Sequence, residues 1–129
     1  MLDKACEYGV KKIHFVGDLG KFVKVAGGIF HTHSRVSDAK LEILAANALL
    51  TGEKTENLLK IMNSNTTEEA VNYISNKETF LLLAEKAKMK CEEYVRRNGV
   101  EISIETLIFS AENRELARSK NFKKKKKDV

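Results

Sequence analysis

Two histidines, His31 and His33, stand one residue apart in the run GKFVKVAGGIFHTHSRVSD, between a pair of glycines and a basic, hydroxyl-rich turn. Residues of these types can do several kinds of chemistry. As neutral imidazoles at the end of a strand, the pair could share one metal ion, as a His-x-His metallohydrolase would use them. That chemistry needs more ligands, and the chain has three histidines in all, with His14 far back and no other His, Asp and Glu cluster at ligand spacing. Ser34 beside His33 offers a nucleophile and a base, but a triad also needs an orienting acid that only the fold can bring in. Thr32, His33 and Ser34 could instead satisfy backbone groups where one helix ends and another begins.

A further possibility is a cationic bed. Lys21 and Lys24 precede the glycines, one helical turn apart, and Arg35 follows the histidines. Such a set suits carboxylates, which favour point-charge lysine and bidentate arginine partners. Gly17 and Gly20 frame the turn GDLG, where free N–H groups at a helix start could receive an anion. A lone GxxG also recurs in many strand–turn–helix units that bind nothing.

The elements that must position these residues can be read from periodicity. Leu2, Ala5, Cys6 and Gly9 fall at helical spacing and predict a helix stopping near YGV. Ile13, Phe15 and Val16 predict a short strand, the GDLG turn follows, and KFVKVAGG reads as a helix. Ser37 and Asp38 can cap and charge-complement a helix carrying Leu41, Leu44, Ala45, Ala48 and Leu49, ended by Gly52. KTENLLKIMNSN predicts a short helix, and Thr66 with Glu69 forms a capping box for another. From Thr79 to Asn98 one face collects Phe80, Leu83, Ala84, Ala87, Cys91, Tyr94 and Val95, with Asn98-Gly99 as the stop. VEISIETLIFSA alternates isoleucines with Glu101, Ser103 and Glu105, predicting a strand with one wetter face.

The fold class is therefore α/β, with α+β as the alternative: helix-rich, with strands near 12–16 and 101–109. Two short strands do not make a stable sheet, so the sheet is expected to be completed by an N-terminal segment absent from this chain.

At 129 residues, 43% hydrophobic and 32% charged, the chain reads as one soluble domain. Its apolar runs are too short to span a bilayer, and MLDKACEYGV lacks the features of a secretory leader, so a cytoplasmic protein without membrane contact is expected. Cys6 and Cys91 are isolated thiols that suit a reducing compartment and core packing. Seven of the 23 lysines and arginines lie from Arg118 onward, so the body is nearly neutral. Residues 1–117 read as the folded unit, and 118–129 as a basic, disordered tail. A terminal lysine run without interleaved aromatics argues against specific nucleic-acid binding. No oligomeric state follows from the sequence.

The run VGDLGKFVKVAGGIFHTHSRVSDAKLEILA closely resembles the signature region of the cobalt-precorrin-5B C(1)-methyltransferases of anaerobic cobalamin (vitamin B12) biosynthesis. Gly17, Gly20, Lys21, Val23, Lys24, Ala26, Gly28, Thr32, His33, Ser34 and Asp38 match that pattern. Asp18 stands where the family usually shows His, and His31 where Asn is common. The likeness extends more weakly over most of the chain except the lysine tail. Family members are considerably longer, so the resemblance implies that this chain is a C-terminal portion whose partner is the N-terminal remainder.

It also implies methyl transfer from S-adenosylmethionine to ring carbon C1 of a cobalt-containing tetrapyrrole, giving cobalt-precorrin-6A, with no protein-bound metal. On that basis His33 is the expected proton-handling residue. Gly17, Gly20, Lys21, Lys24, Gly28, Thr32, Ser34, Arg35 and Asp38 are expected to bind substrate or donor. The alternative is a non-catalytic ligand-binding or scaffold fragment.

Overall fold

The computed structural model describes residues 2–28, 39–110 and 112–120. Among them the chain forms six helices and three strands. The order is α1 (Leu2–Glu7), β1 (Lys12–Asp18), α2 (Leu19–Ala26), α3 (Lys40–Leu50), α4 (Thr55–Met62), α5 (Thr67–Val71), α6 (Glu78–Arg97), β2 (Ser103–Phe109) and β3 (Glu115–Arg118). The expected mixture of helix and strand is thus present. No helix among the described residues is long and apolar enough to cross a membrane.

The sheet has the order β1-β2-β3. β1 and β2 run parallel, with Ile13 opposite Ile104 and Phe15 opposite Thr106. β3 pairs antiparallel with β2, with a register irregularity at Ile108/Phe109. This third strand comes from the chain's own ELAR, which the two-strand reading did not include. Pairing runs to Arg118, one residue past the expected end of the folded unit, and Ser119 beyond it is fully buried. Residues 121–129, the rest of the expected tail, lie outside the described residues.

Side chains alternate across a strand, so Ile13, Phe15, Ile104, Thr106 and Ile108 share the face turned to the helices. Against it pack Phe22, Val23, Leu44, Ile61, Leu83, Ala84, Ala87, Cys91 and Val95, all fully or almost fully buried. Each large apolar side chain sequestered this way contributes roughly 1.5–3 kcal/mol of transfer free energy. Burial pushes the Cys91 thiol up to about 12, with neighbouring Glu92 adding to the shift, so this sulfur is an inert core filler. α6 follows its predicted stripe and stops where Gly99 takes φ +82.

Two boundaries differ from the sequence reading, each for a local reason. β1 runs through to Asp18 and α2 starts at once at Leu19, with no free loop between them. Asp18 is the N-cap, its carboxylate accepting the Lys21 N–H at 3.0 Å. α3 starts at Lys40 with Ala39 in the N-cap position and no side-chain bond there; Ser37 and Asp38, the expected caps, lie outside the described residues. The capping box is present in modified form: Thr66 Oγ1 accepts the Glu69 N–H, while Glu69 reaches back to the Asn65 N–H.

The wetter face expected at the beginning of β2 holds for Glu101 and Ser103, which are exposed, but not for Glu105. Glu105 is only 5% exposed. Its carboxylate accepts from Ser119 Oγ and from Lys88 Nζ, the latter at 3.1 Å. Lys88 also donates to Glu92 at 3.0 Å and to the Ile104 carbonyl at 2.9 Å, while Glu92 accepts the Ile104 N–H. Beyond the reach of short β3, two side chains of α6 thus take the place of a strand on the edge of β2. Burial alone would lower the Lys88 pKa; bonds to Glu92 and Glu105 outweigh it and hold the ammonium above its ordinary value.

Candidate functional site

The end of β1 leads straight into α2, and the glycines there have different reasons to lack a side chain. A Cβ on Gly17 would meet the Phe22 ring at 3.3 Å and Lys21 at 3.5 Å, so the protein's own core occupies that space. Gly28 takes φ +84, a conformation that favours glycine, just after α2 ends. Its neighbour Gly27 lets Ile43 of α3 seat against the backbone: a Cβ there would lie 2.5 Å from Ile43 Cδ1.

Gly20 is unlike these. The point where its Cβ would sit is 3.4 Å from Thr67 Oγ1, 3.5 Å from Asp18 Oδ1 and 3.9 Å from Lys40 Nζ. These are ordinary contact distances, so a methyl group there would touch a hydroxyl, a carboxylate and an ammonium. Thr67 is 2% exposed, and no hydrogen bond to its hydroxyl forms among the described residues. Lys40 is half-buried and takes part in none of the ion pairs among the described residues.

The predicted cations are placed as follows. Lys21 is exposed and sits 5.1 Å from the centre of the Phe15 ring, a cation–π contact. Lys24 lies one turn along α2, half-buried in its last turn. The expected anion seat at the start of α2 is altered by Asp18, whose carboxylate already takes the Lys21 N–H. His31, Thr32, His33, Ser34, Arg35 and Asp38 lie outside the described residues. Among the described residues, no three His, Cys, Asp or Glu side chains gather as a metal set would.

Lys40 and Thr67 were not picked out from the sequence. Lys40 belongs to SDAKLE just past the histidine run, and Thr67 to the capping segment of α5, so no local spacing ties either one to Gly20. Only the packing of α3 and α5 around α2 does.

At the far end of the sheet, Lys11, Glu92, Arg96, Glu101, Ile102 and Ser103 line an open cleft of about 370 Å³. It sits where β1 and β2 begin. In open α/β sheets, ligands bind outside the carboxyl ends of the strands, which is the Gly20 end.

A parallel strand pair with a third, antiparallel strand, covered by helices, defines a mixed α/β protein. The model of the family described as CbiD, C-terminal domain, matches residues 31–120, and this chain belongs to that family. The chain is 42% identical over 124 residues to the cobalt-precorrin-5B C(1)-methyltransferase of Fusobacterium nucleatum subsp. nucleatum, covering 96% of the chain and 32% of that protein. It is likewise 42% identical over 124 residues to the protein of that name from Clostridioides difficile, covering 94% and 30%. A third, from Alkaliphilus metalliredigens, is 46% identical over 120 residues, covering 91% and 31%. The chain spans about a third of the length of these curated relatives. No solved structure matches it significantly. The resemblance read from VGDLGKFVKVAGGIFHTHSRVSDAKLEILA is thereby borne out at the level of the family.

Proposed function

We propose that this chain contributes the C-terminal part of an enzyme that transfers a methyl group from S-adenosylmethionine to C1 of cobalt-precorrin-5B, yielding cobalt-precorrin-6A in cobalamin biosynthesis. One observation carries the reading: identity of 42–46% to three proteins of that name, along nearly the whole chain. The remaining two-thirds of such a protein is the partner we assign to it, and cobalt enters with the substrate. We place the reaction in the cytoplasm, where free thiols such as those of Cys6 and Cys91 are the ordinary state.

We assign Gly17, Gly20 and Gly28, which match the family pattern, to the backbone that substrate or donor approaches. When bound, the sulfonium donor supplies an already activated methyl group. The protein's work is then alignment of the ring carbon with that methyl and exclusion of water. Lys21, Lys24 and Arg35 are cations for the acetate and propionate groups of the macrocycle. To His33 we assign the proton released later in the reaction. To Thr32, Ser34 and Asp38 we assign further polar contacts to substrate or donor.

A chimera tests this reading. The matching third of the Alkaliphilus metalliredigens relative is replaced by this chain, and transfer of labelled methyl to cobalt-precorrin-5B is measured. Transfer is the expected result. A folded chimera that transfers nothing, beside an active parent, would remove the reading.

A further inference from the structure

The two edges of the sheet are built differently. β3, on one side, has the marks of a guarded edge: four residues, a register irregularity at Ile108/Phe109, and charged Glu115 and Arg118 at its ends. Short, irregular or charged strands resist pairing with another chain. β1, on the other side, has few of these marks. It is seven residues long and pairs in unbroken register with β2 from Lys12 to Asp18. Between those two charged ends come Ile13, His14, Phe15, Val16 and Gly17, with no lysine, arginine or acid among them. The chain has no proline to block a ladder. Among the described residues β2 is the only strand paired with β1, so alternate N–H and C=O groups of β1 point away from β2.

Apolar surface belongs to the same segment. Val16 is 45% exposed on one face of β1, Ile13 is half-buried on the other, and Tyr8 and Val10, in the run that enters the strand, are exposed. A strand added at this edge would shield Ile13 and Val16 from the side while taking up the outward backbone groups.

The length of the relatives points to what covers the edge. The chain spans about a third of them, and its family is described as a C-terminal domain, so most of such an enzyme lies outside this chain. Resting on the assignment of that remainder as the chain's partner, we propose that the free edge of β1 is its docking surface. An extended segment of the remainder, with apolar residues to cover Ile13 and Val16, pairs with β1 as a fourth strand of the sheet. That brings the sheet into the commonest range of about four to six strands.

Hydrogen exchange tests this, on the isolated chain and on the Alkaliphilus metalliredigens chimera. The β1 amides that exchange fast in the isolated chain are expected to slow at least about tenfold in the chimera. That comparison needs no substitution. Val16→Glu places a charge in the middle of the edge, and is expected to undo most of the slowing. Because Val16 lies outside the core, the isolated variant should keep its thermal midpoint. Leu59→Glu, at a comparably exposed apolar position on α4, is expected to leave the slowing intact.

Fast exchange along β1 in a chimera that transfers methyl would overturn the docking surface and leave the methyl-transfer reading standing. Slow exchange in a folded chimera that transfers nothing would do the reverse. Amides as slow in the isolated chain as in the chimera would also overturn the proposal, and sedimentation would then show whether a second copy or the chain itself covers the edge. Slowing lost in Leu59→Glu but kept in Val16→Glu would move the contact to α4 and overturn it as well.

Discussion

Two polar clusters among the described residues, built from similar residue types, differ in that one is closed on itself and one is left open. Between α6, β2 and β3, Lys88, Glu92, Glu105, Thr106 and Ser119 match one another and the adjacent backbone. Around Gly20, Asp18, Lys40 and Thr67 come close without bonding to one another. A buried polar group left unmatched costs free energy, and the side-chain atom in that state among the described residues is Asn47 Oδ1, not one of these three. The closed cluster holds β2 and its short partner strand to the long helix. The open one lies at the carboxyl end of β1.

The largest test of this contrast falls on the closed side. Glu105→Ala removes the acceptor shared by Lys88 and Ser119 and leaves a half-buried ammonium with less compensation. Breaking a buried pair by deleting one partner costs about 3–5 kcal/mol. Urea unfolding is expected to show a loss of that size, concentrated in the α6–β2–β3 region by hydrogen exchange. A loss no larger than that of a surface substitution would mean the cluster holds nothing together.

A second closed group lies around Glu53, 6% exposed at the turn between α3 and α4. Burial alone would raise its pKa; bonds from Asn57 and Ser75 outweigh it and hold the carboxyl below its ordinary value. The folded state therefore binds this proton less readily than the unfolded state does. The stability it contributes is complete at neutral pH, above the unfolded value, and drains away as the pH falls through the depressed folded value. Glu53→Gln is expected to cost roughly 1.5–3 kcal/mol at neutral pH, as for bonds to a charged group. The gap between variant and parent should narrow on acidification. A gap that stays constant with pH would show that the charge is not what those donors hold.

How much of this was legible in the sequence follows the range of each interaction. α6 declared itself because its stripe from Phe80 to Val95 and the Asn98-Gly99 stop are all local. The capping box at Thr66 and Glu69 was readable for the same reason. β3 was not, because four residues are too few for alternation to register and their pairing depends on Ser119, which looked like the start of a tail. Glu105 read as a wet position because alternation assigns a face and says nothing of a lysine on a helix above it. In the candidate site, Gly20 was found from the GDLG turn and the family pattern. Lys40 and Thr67 carry no local mark and reach it only through tertiary packing.

The smallest expected effects make the sharpest comparison, because one substitution can be placed in both clusters. Thr106 Oγ1 donates to the Ala84 carbonyl at 2.7 Å, and the residue is fully buried. Thr106→Val keeps the branched shape and loses that bond, at a cost of about 0.5–1.5 kcal/mol. Thr67 is buried to almost the same degree, but its hydroxyl has no bond to lose among the described residues. Thr67→Val is therefore expected to change unfolding free energy by less than about 0.5 kcal/mol, or to stabilise slightly, since an apolar group there needs no partner. Denaturant midpoints of the two variants, measured side by side, decide it. A Thr67 cost equal to that of Thr106 would mean that its hydroxyl is already matched within the fold, and the contrast between a closed and an open cluster would fail at the residue on which it most depends.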